Sequence, residues 1–527
     1  MKILVSDPIA KEGLDVLKSI DGIELVVKTG LKEDELIDEI KDVDYLVVRS
    51  QTKVTANVLE SVNRLKIIGR AGVGVDNINM DAATKKGIIV INTPDANTIS
   101  TAEHTMAMML ACSRKIPQAY SSLKSGKWER TLFVGWELYG KILGIIGLGR
   151  IGRQVAIRAQ AFNMHVVGYD PFIGDDVAKN LKITLVSLDE LYKKSDYITI
   201  HVPMSPETKH MISENEIEKM KDGVIIINCA RGGIIDEGAL YNGLSSGKIG
   251  ACALDVFEKE PPIGSPLLSL DNCVFVPHLG ASTKEAQENV GIEIANQIKD
   301  AIKGNIKNAV NIPQIDPELK KILDPYVKLA DCLSKFAIQV VERPLKTIEI
   351  EYSGELINYE LSPLTNTIVF SIFSTKFLPD GAINYVNSLY IAKERGIGVS
   401  SAKSSKKIDY QSLISLTLVT DKEKIEFLGT LLGEEEPRIV QIDKFSVEIV
   451  PEGNLLVLSH TDEPGIIGKV GTILGEAKIN IGWLKLSRKE KGGDALSIWG
   501  LDEETPQDVI SRIKEIPQVL KVRMAKL

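Results

Sequence analysis

The sequence is poor in the features that mark secreted, membrane-spanning and nucleic-acid-binding proteins. It has five cysteines in 527 residues, no CxxC pair, and no apolar run of membrane-spanning length. No hydrophobic leader precedes the first predicted strand, and the net charge of -8 comes without a block of basic residues. These absences argue against a disulfide framework and predict no metal, no nucleic acid and no membrane partner. They favour a cytoplasmic location.

The remaining composition is that of a soluble multidomain protein. Hydrophobic residues make up 44% of the chain and charged residues 25%, which is ordinary for globular proteins. A length of 527 residues corresponds to roughly three or four domains, each able to bury its own core.

One glycine-rich turn organises the rest of the chain. An apolar strand predicted at 142–146 runs into Gly147-x-Gly149-x-x-Gly152, then a helical segment, then a second strand that ends on Asp170. Glycines allow a tight turn and the close approach of a pyrophosphate, which binds free N–H groups at the helix N-terminus. An acidic residue at this spacing bonds the ribose and repels the 2′-phosphate of NADP. The unit predicts an NAD site; the alternative is a turn that serves packing alone.

The strand pattern divides the chain into four domains. Residues 1–97 and 98–279 each alternate short β-rich runs with amphipathic helices, which predicts parallel sheets covered on both faces. Residues 313–450 mix helix and strand, and 451–527 follow the order βαββαβ of the ferredoxin-like split motif. The predicted fold class is therefore α/β, with two Rossmann-like doubly wound domains followed by an α+β domain and a ferredoxin-like module.

Three side chains suited to hydride-transfer chemistry follow predicted strands of the second domain. Arg231 follows the strand at 224–228, and its forked guanidinium suits a carboxylate. His278 follows the last strand and is suited to take a hydroxyl proton, while Glu260 is suited to orient the imidazole and raise its pKa. Taken singly, each also has a structural interpretation: a capping histidine, a surface arginine, and one acid among many.

Four segments resemble the D-isomer-specific 2-hydroxyacid dehydrogenases: GLGRIG at the turn, NCARGGIIDE at 228–237, ALDVFEKEPP at 253–262 and PHLGAST at 277–283. With RSQT, GRAGVGVDN and HTDEPG elsewhere, the likeness covers nearly the whole chain and extends to long-form members that oxidise 3-phosphoglycerate with NAD. The resemblance implies that Arg231, Glu260 and His278 are catalytic, with His278 as the acid/base. It also implies that 280–312 returns to complete the first domain as a discontinuous substrate domain.

The predicted ligand residues lie in the turn, at later strand ends and in the first domain. The NAD set is Gly147, Gly149, Arg150, Ile151, Gly152, Asp170, Thr208, Cys229, Ala230, Asp255 and Gly280. For the substrate, the phosphate is assigned to Arg49, Ser50 and Arg70, and the carboxylate to the backbone near Gly74 and Asn97. A surface ion pair is the alternative role for Arg49.

The C-terminal module resembles an ACT domain, which in this family implies a serine sensor. The resemblance assigns the amino group to Asp462 and other polar groups to amides near Gly465 and to Asn480, with His460 and Ile481 beside them. An ordinary helix N-cap is the alternative. The resemblance also implies a homotetramer and regulatory use of 313–450. The rival functions are dehydrogenation of another 2-hydroxy acid and a non-catalytic NAD-sensing scaffold.

Overall fold

The computed structural model describes residues 1–313, 317–342, 344–376, 383–406, 409–433 and 435–527. Within these ranges the strands form four sheets of five, seven, six and four strands. The first two sheets are parallel, the third is mixed and the fourth is antiparallel. Two parallel Rossmann-like sheets and a separate mixed sheet confirm the predicted class. No helix in the described ranges has the length and apolar character needed to cross a bilayer.

The first sheet has the order β2-β1-β3-β4-β5, and its strands are short apolar runs. They are β1 (Lys2–Val5), β2 (Glu24–Val27), β3 (Tyr45–Val48), β4 (Ile67–Arg70) and β5 (Ile89–Asn92). The helices between them are α1 (Lys11–Lys18), α2 (Glu33–Ile40), α3 (Ala56–Glu60) and α4 (Met80–Lys85). The central strand β3 is buried along its whole length, as expected when helices cover both faces of a parallel sheet.

The second sheet has the order β12-β11-β10-β9-β6-β7-β8. Its strands are β6 (Ile142–Ile146), β7 (His165–Tyr169), β8 (Thr184–Leu185), β9 (Tyr197–Ile200), β10 (Val224–Asn228), β11 (Ile249–Leu254) and β12 (Cys273–Phe275). Its helices are α5 (Thr98–Ser113), α6 (Ile116–Lys124), α7 (Arg150–Ala161), α8 (Asp175–Asn180), α9 (Leu188–Lys194), α10 (Glu214–Lys219) and α11 (Glu237–Ser246). Strand order reverses beside β6, and such a switch point opens a ligand crevice at the carboxyl ends of the strands.

The helix after the second sheet, α12 (Lys284–Ile302), packs against the first sheet. Its Gly291 lies so close to Gly13 of α1 that a Cβ on Gly13 would be 2.5 Å from the Gly291 carbonyl oxygen. Beyond the helix, the N–H of Val310 donates to the Val90 carbonyl at 2.7 Å. The chain therefore crosses back from the second sheet and closes one face of the first.

The third sheet has the order β14-β13-β15-β16-β17-β18. Its strands are β13 (Leu345–Gly354), β14 (Gly398–Ser404), β15 (Ser412–Thr420), β16 (Lys424–Leu432), β17 (Glu436–Ile442) and β18 (Phe445–Ile449). The accompanying helices are α13 (Pro317–Val340), α14 (Ser362–Lys376) and α15 (Ser388–Glu394). The apolar residues of α13 and α14 join those of the sheet in one core.

The C-terminal sheet has the order β20-β21-β19-β22, and its elements follow the predicted order βαββαβ. They are β19 (Asn454–Thr461), α16 (Ile466–Glu476), β20 (Ile481–Arg488), β21 (Asp494–Leu501), α17 (Gln507–Lys514) and β22 (Val519–Lys526). Trp499, which is 1% exposed, lies in the core between the sheet and its two helices.

Candidate active site

The glycine turn between β6 and α7 has the form of a phosphate cradle. Gly147 adopts φ +93, a conformation that favours glycine, and a Cβ on Gly152 would collide with the carbonyl of Gly147. A Cβ on Gly149, in contrast, would have no neighbouring atom within 4 Å. Since α7 begins here without a side-chain cap, the space beside Gly149 is open to an anion at the helix N-terminus. The observed turn fits a dinucleotide pyrophosphate.

Asp170 holds this turn from the end of β7. Its Oδ2 accepts the N–H of Leu148 at 2.8 Å, and its Oδ1 accepts the N–H of Phe172 at 2.9 Å. The nearby Arg150 is paired with Asp95, with 2.5 Å between Nε and Oδ1. Asp170 thus places an acid at the end of β7, where a carboxylate suits the ribose of NAD and disfavours a 2′-phosphate.

The other predicted NAD residues lie at strand ends of the same sheet. Thr208 closes the loop after β9, where its hydroxyl accepts the N–H of Ser205 at 2.8 Å. Cys229 and Ala230 directly follow β10, and burial raises the pKa of the Cys229 thiol. Ile151 lies in the first turn of α7, partly buried against the sheet.

His278 and Glu260 form a hydrogen-bonded pair at the carboxyl edge of the second sheet. His278 Nδ1 donates to Glu260 Oε2 at 2.9 Å. This hydrogen bond raises the pKa of His278 above its ordinary value. Although burial acts in the opposite sense, the bond from His278 keeps the pKa of Glu260 below its ordinary value. The contact expected from the sequence is therefore present, and it leaves His278 Nε2 for exchange with a ligand.

The backbone of the His278 loop is held by Asp255, which follows β11 and is 1% exposed. The Asp255 carbonyl accepts the N–H of His278 at 2.9 Å, and its carboxylate accepts the N–H groups of Leu279 at 2.6 Å and Gly280 at 2.9 Å. From α5, Ser100 donates its hydroxyl to the Gly280 carbonyl at 2.9 Å. The loop is thus fixed to two elements.

His104 of α5 is the functional candidate that the sequence patterns do not reveal. Its Nε2 lies 3.3 Å from Asp255 Oδ1. Burial raises the pKa of Asp255, but its electrostatic contact with His104 and its hydrogen bonds from the backbone of Leu279 and Gly280 outweigh burial and lower this pKa overall. The sequence around His104 is an Ala- and Met-rich helix without a motif, so only tertiary contact identifies it.

Arg231 spans the crevice between the two parallel-sheet domains. Its Nε donates to Asp76 Oδ2 at 3.0 Å, and its Nη1 donates to the Ala230 carbonyl at 2.7 Å. The guanidinium lies over Gly74, where a Cβ would collide with Nη2. Asn228 supports the turn, because its side chain donates to the Arg231 carbonyl at 2.9 Å. Arg231 therefore reaches the first domain from the end of β10.

Arg70 of the first domain lies near Arg231, because Arg70 lies against Gly72 and Arg231 against Gly74 of the same loop. Burial, reinforced by the charges of Arg231 and Arg49, lowers the pKa of Arg70 to about 10. Arg70 Nε is buried with no hydrogen-bond partner among the described residues. Ser50 is exposed beside Arg49, and Asn97 Oδ1 at the start of α5 is likewise buried without a partner in the described ranges. This gathering of guanidinium groups is suited to an anion.

A second histidine-glutamate pair lies outside this arrangement. His210 Nε2 donates to Glu258 Oε1 at 3.0 Å, and the same oxygen accepts the N–H of Glu237 at 3.2 Å. His210 Nδ1 is also 3.6 Å from Asp236. This pair therefore belongs to an acidic cluster near the start of α11.

The structure does not bring the predicted serine residues together. Asp462 accepts from Arg488 at 2.6 Å and from the N–H of Gly492 at 3.1 Å, beside the loop of Gly465. Asn480 donates to Asp502 at 2.6 Å, at the opposite end of the sheet because Ile481 is level with the start of β19. The eight residues of β19 separate the two ends by roughly 20 Å or more.

His460 belongs to the Asp462 end of the module, and Ile481 to the Asn480 end. His460 is 2% exposed, and its Nε2 has no hydrogen-bond partner among the described residues. The residues predicted to form one serine pocket therefore lie in two groups within one chain, His460 with Asp462 and Asn480 with Ile481. We call these two groups the half-sites.

Comparison with known proteins assigns this architecture to a family. A model of the "D-isomer specific 2-hydroxyacid dehydrogenase, NAD binding domain" matches residues 106–280. A model of the "D-3-phosphoglycerate dehydrogenase intervening domain" matches residues 322–443. The crystal structure of D-lactate dehydrogenase from Aquifex aeolicus, complexed with NAD and lactic acid, is 33% identical with a TM-score of 0.53, over 60% of this chain and 100% of that one.

Relatives that match along the full length include two D-3-phosphoglycerate dehydrogenases. D-3-phosphoglycerate dehydrogenase of Methanocaldococcus jannaschii is 47% identical over 529 residues and 100% of both chains. That of Bacillus subtilis is 41% identical over 527 residues, covering 100% of this chain and 99% of its own. The chain therefore belongs to the D-isomer-specific 2-hydroxyacid dehydrogenases and is an NAD-dependent oxidoreductase. Within that family its full-length relatives are D-3-phosphoglycerate dehydrogenases, which confirms the resemblance and the NAD cofactor predicted from the sequence.

Proposed function

We propose that the protein oxidises 3-phospho-D-glycerate to 3-phosphohydroxypyruvate with NAD, the first step of phosphorylated L-serine biosynthesis. The observation that carries this proposal is the position of Arg231, whose charge acts on His278 of the His278–Glu260 pair and on Arg70 of the first domain. A substrate with both a phosphate and a carboxylate matches several guanidinium groups around one acid/base pair. The full-length relatives support the same substrate.

His278 is the acid/base of the proposed reaction. In its neutral form it accepts the proton of the C2 hydroxyl at Nε2, because Nδ1 is bonded to Glu260 at 2.9 Å. Glu260 then stabilises the imidazolium and keeps the ring in the required tautomer. NAD held at the glycine turn would supply the hydride acceptor for C2.

Arg231 orients the substrate in this scheme. Its guanidinium binds the carboxylate and polarises the forming ketone, with the backbone near Gly74 and Asn97 as a further source of donors. Arg49, Ser50 and Arg70 bind the phosphate. The first sheet, completed by residues 280–312, thus acts as the substrate domain.

The rival 2-hydroxy acid dehydrogenase and the NAD-sensing scaffold make different predictions for one experiment. The purified enzyme is supplied with NAD and a panel of D-2-hydroxy acids with and without a phosphate, and formation of NADH is followed. Our proposal expects the highest kcat/KM with 3-phosphoglycerate. A preference for an unphosphorylated acid such as D-lactate or D-glycerate contradicts it, and binding of NAD without any turnover supports the scaffold.

We also propose that serine inhibits the enzyme at the C-terminal module, which we assign as an ACT domain. A serine that contacts both Asp462 and Asn480 needs two copies of the module, since one copy separates the two half-sites. This requirement supports a homo-oligomer, for which we propose a tetramer with contacts through the cofactor and ACT domains. We assign residues 313–450 a regulatory role as the intervening domain. If serine changes the affinity for substrate or cofactor by some factor, that ligand must change the affinity for serine by the same factor.

A further inference from the structure

Three side chains behind the His278 loop place a nitrogen, a sulfur and a carboxylate oxygen close together. His104 lies on α5, Cys229 directly follows β10, and Asp255 directly follows β11. Their ligand atoms all lie within 4.8 Å of one another, and His104 Nε2 is 3.3 Å from Asp255 Oδ1. We call these three residues the buried triad.

The composition of the buried triad, together with the distance between His104 and Asp255, suits a zinc ion. Zinc binds imidazole and carboxylate at about 2.0–2.2 Å and thiolate at about 2.3 Å, so neighbouring ligands around a tetrahedral ion are roughly 3.4 Å apart. The 3.3 Å between His104 and Asp255 already meets this requirement. A thiol beside an imidazole favours a borderline-soft ion over magnesium or calcium, which prefer oxygen ligands alone.

The triad also has unused bonding capacity. His104 Nε2 is buried and has no hydrogen-bond partner of normal geometry among the described residues. The Asp255 carboxylate is held in place by the N–H groups of Leu279 and Gly280, an outer shell of the kind that orients metal ligands. Cys229 is 6% exposed and Asp255 1% exposed. Three protein ligands leave a fourth position for water or another ligand.

We propose that the buried triad binds one Zn²⁺ per subunit when NAD is absent, and that the ion inhibits the enzyme. Binding replaces the thiol proton of Cys229 by the metal and releases that proton to solvent. The ion binds the carboxylate of Asp255, which fixes the His278 loop. Two of its ligands, Cys229 and Asp255, also belong to the predicted NAD set. Competition with NAD therefore rests on the proposed roles of Cys229 and Asp255, whereas formation of the metal site does not.

Cobalt is the probe for the site, because Co²⁺ replaces Zn²⁺ with similar geometry and is coloured. The NAD-free, chelator-treated enzyme is titrated with Co²⁺. We expect a thiolate-to-cobalt charge-transfer band that saturates at one equivalent per subunit and disappears when Zn²⁺ is added. Cys229→Ala should abolish the band, and His104→Ala should weaken cobalt binding by at least about 10-fold, since even outer-shell changes have effects of this size.

The matched control is Cys273→Ala, which removes another buried thiol of the same domain. Cys273 lies 3.2 Å from Cys252, sulfur to sulfur, and this pair is the main competing thiol site. The control variant should keep the band. Absence of the band in the wild type, its retention in Cys229→Ala, or its loss in Cys273→Ala would overturn the proposal. If Cys229→Ala does not fold, unchanged cobalt affinity in His104→Ala overturns it equally.

The inhibitory effect has its own measurement. We expect Zn²⁺ to raise the Kd of NAD, measured by calorimetry, and saturating NAD to weaken cobalt binding in return. If the affinity for NAD is equal with and without Zn²⁺, the proposed inhibition is wrong. The cobalt spectra test the existence of the metal site separately. The substrate panel is run with a chelator present, so its failure would concern the proposed function alone.

Discussion

The crevice between the two parallel-sheet domains and the C-terminal module differ in how they assemble polar groups. In the crevice, Arg231 meets Asp76 of the other domain at 3.0 Å and Glu260 meets His278 at 2.9 Å. In the C-terminal module, the half-sites of Asp462 and Asn480 lie at opposite ends of the sheet.

Topology explains the difference. Parallel strands with helical crossovers bring all their carboxyl ends to one edge, so side chains distant in sequence converge there. In the βαββαβ module, Asp462 follows the carboxyl end of the first strand, whereas Asn480 precedes the amino end of the second. These two strands run in the same direction, so the two residues lie at opposite ends of the sheet. One chain therefore assembles the crevice, whereas an effector that contacts both half-sites requires a second copy.

The largest expected effect is that of removing the imidazole from the crevice. His278→Gln should lower kcat by about 10²–10⁴-fold, the usual contribution of a general acid/base. His210→Gln is the matched control, since it removes the histidine of the second histidine-glutamate pair and should change kcat by less than about 10-fold. Steady-state oxidation of 3-phosphoglycerate measures both. Equal losses in the two variants would contradict the assignment of His278.

The next effect concerns the arginine that links the two domains. Arg231→Ala should lower kcat/KM by about 10²–10³-fold, because a preorganised donor to the developing oxyanion and to the carboxylate is lost. Arg231→Lys keeps the charge without the planar fork and should fall between wild type and alanine. A normal kcat/KM in the alanine variant would end this assignment.

A smaller effect is expected on the pH profile of oxidation. Glu260 raises the pKa of His278. Because only the neutral imidazole can accept the proton, activity should fall as the pH is lowered through this pKa. Glu260→Gln removes the carboxylate and should move this acid limb to lower pH while lowering kcat. Glu258→Gln, in the second pair, should leave the limb in place. A limb that moves to higher pH in Glu260→Gln would contradict the proposed pairing.

The smallest effect tests the C-terminal half of the comparison. Asn480→Ala should raise the serine concentration needed for half inhibition by about 2- to 10-fold, the loss expected for one hydrogen bond. Asn63→Ala, an exposed asparagine of the first domain, should leave it unchanged. Mixed oligomers of Asn480→Ala and Asp462→Ala subunits should regain part of the serine response if the site is shared. If Asn480→Ala has the serine sensitivity of the wild type, Asn480 does not contribute to the serine site.

Periodic elements were predictable because their apolar pattern is local. The apolar pattern predicts a helix at 33–40, a strand at 224–228 and a helix at about 284–302. The observed α2 (Glu33–Ile40), β10 (Val224–Asn228) and α12 (Lys284–Ile302) have these bounds. Strand ends followed by polar residues were predicted less well. The β-rich run predicts a strand at 251–256, whereas β11 spans Ile249–Leu254, because Asp255 bonds the His278 loop instead of continuing the strand. The apolar run at 67–68 predicts a strand that ends before Arg70, whereas Arg70 is the last residue of β4 (Ile67–Arg70).

Residues without a motif could not be predicted. His104 sits in an apolar helix whose sequence gives no sign of Asp255, and it becomes notable only because α5 crosses the ends of β10 and β11. The approach of Arg231 to Arg70 similarly depends on how the two domains face each other. Such contacts join residues far apart in the chain, and local pattern carries no information on them.

The sequence by itself determined the glycine turn, the acid at Asp170 and the order of strands and helices, because these follow from residue size, backbone freedom and apolar period. The tertiary structure alone decided which strand ends converge. It placed Arg231 on the first domain, joined His104 to Cys229 and Asp255, and separated Asp462 from Asn480. The physical reason is that convergence depends on strand direction and on packing between domains, which are set by the whole chain.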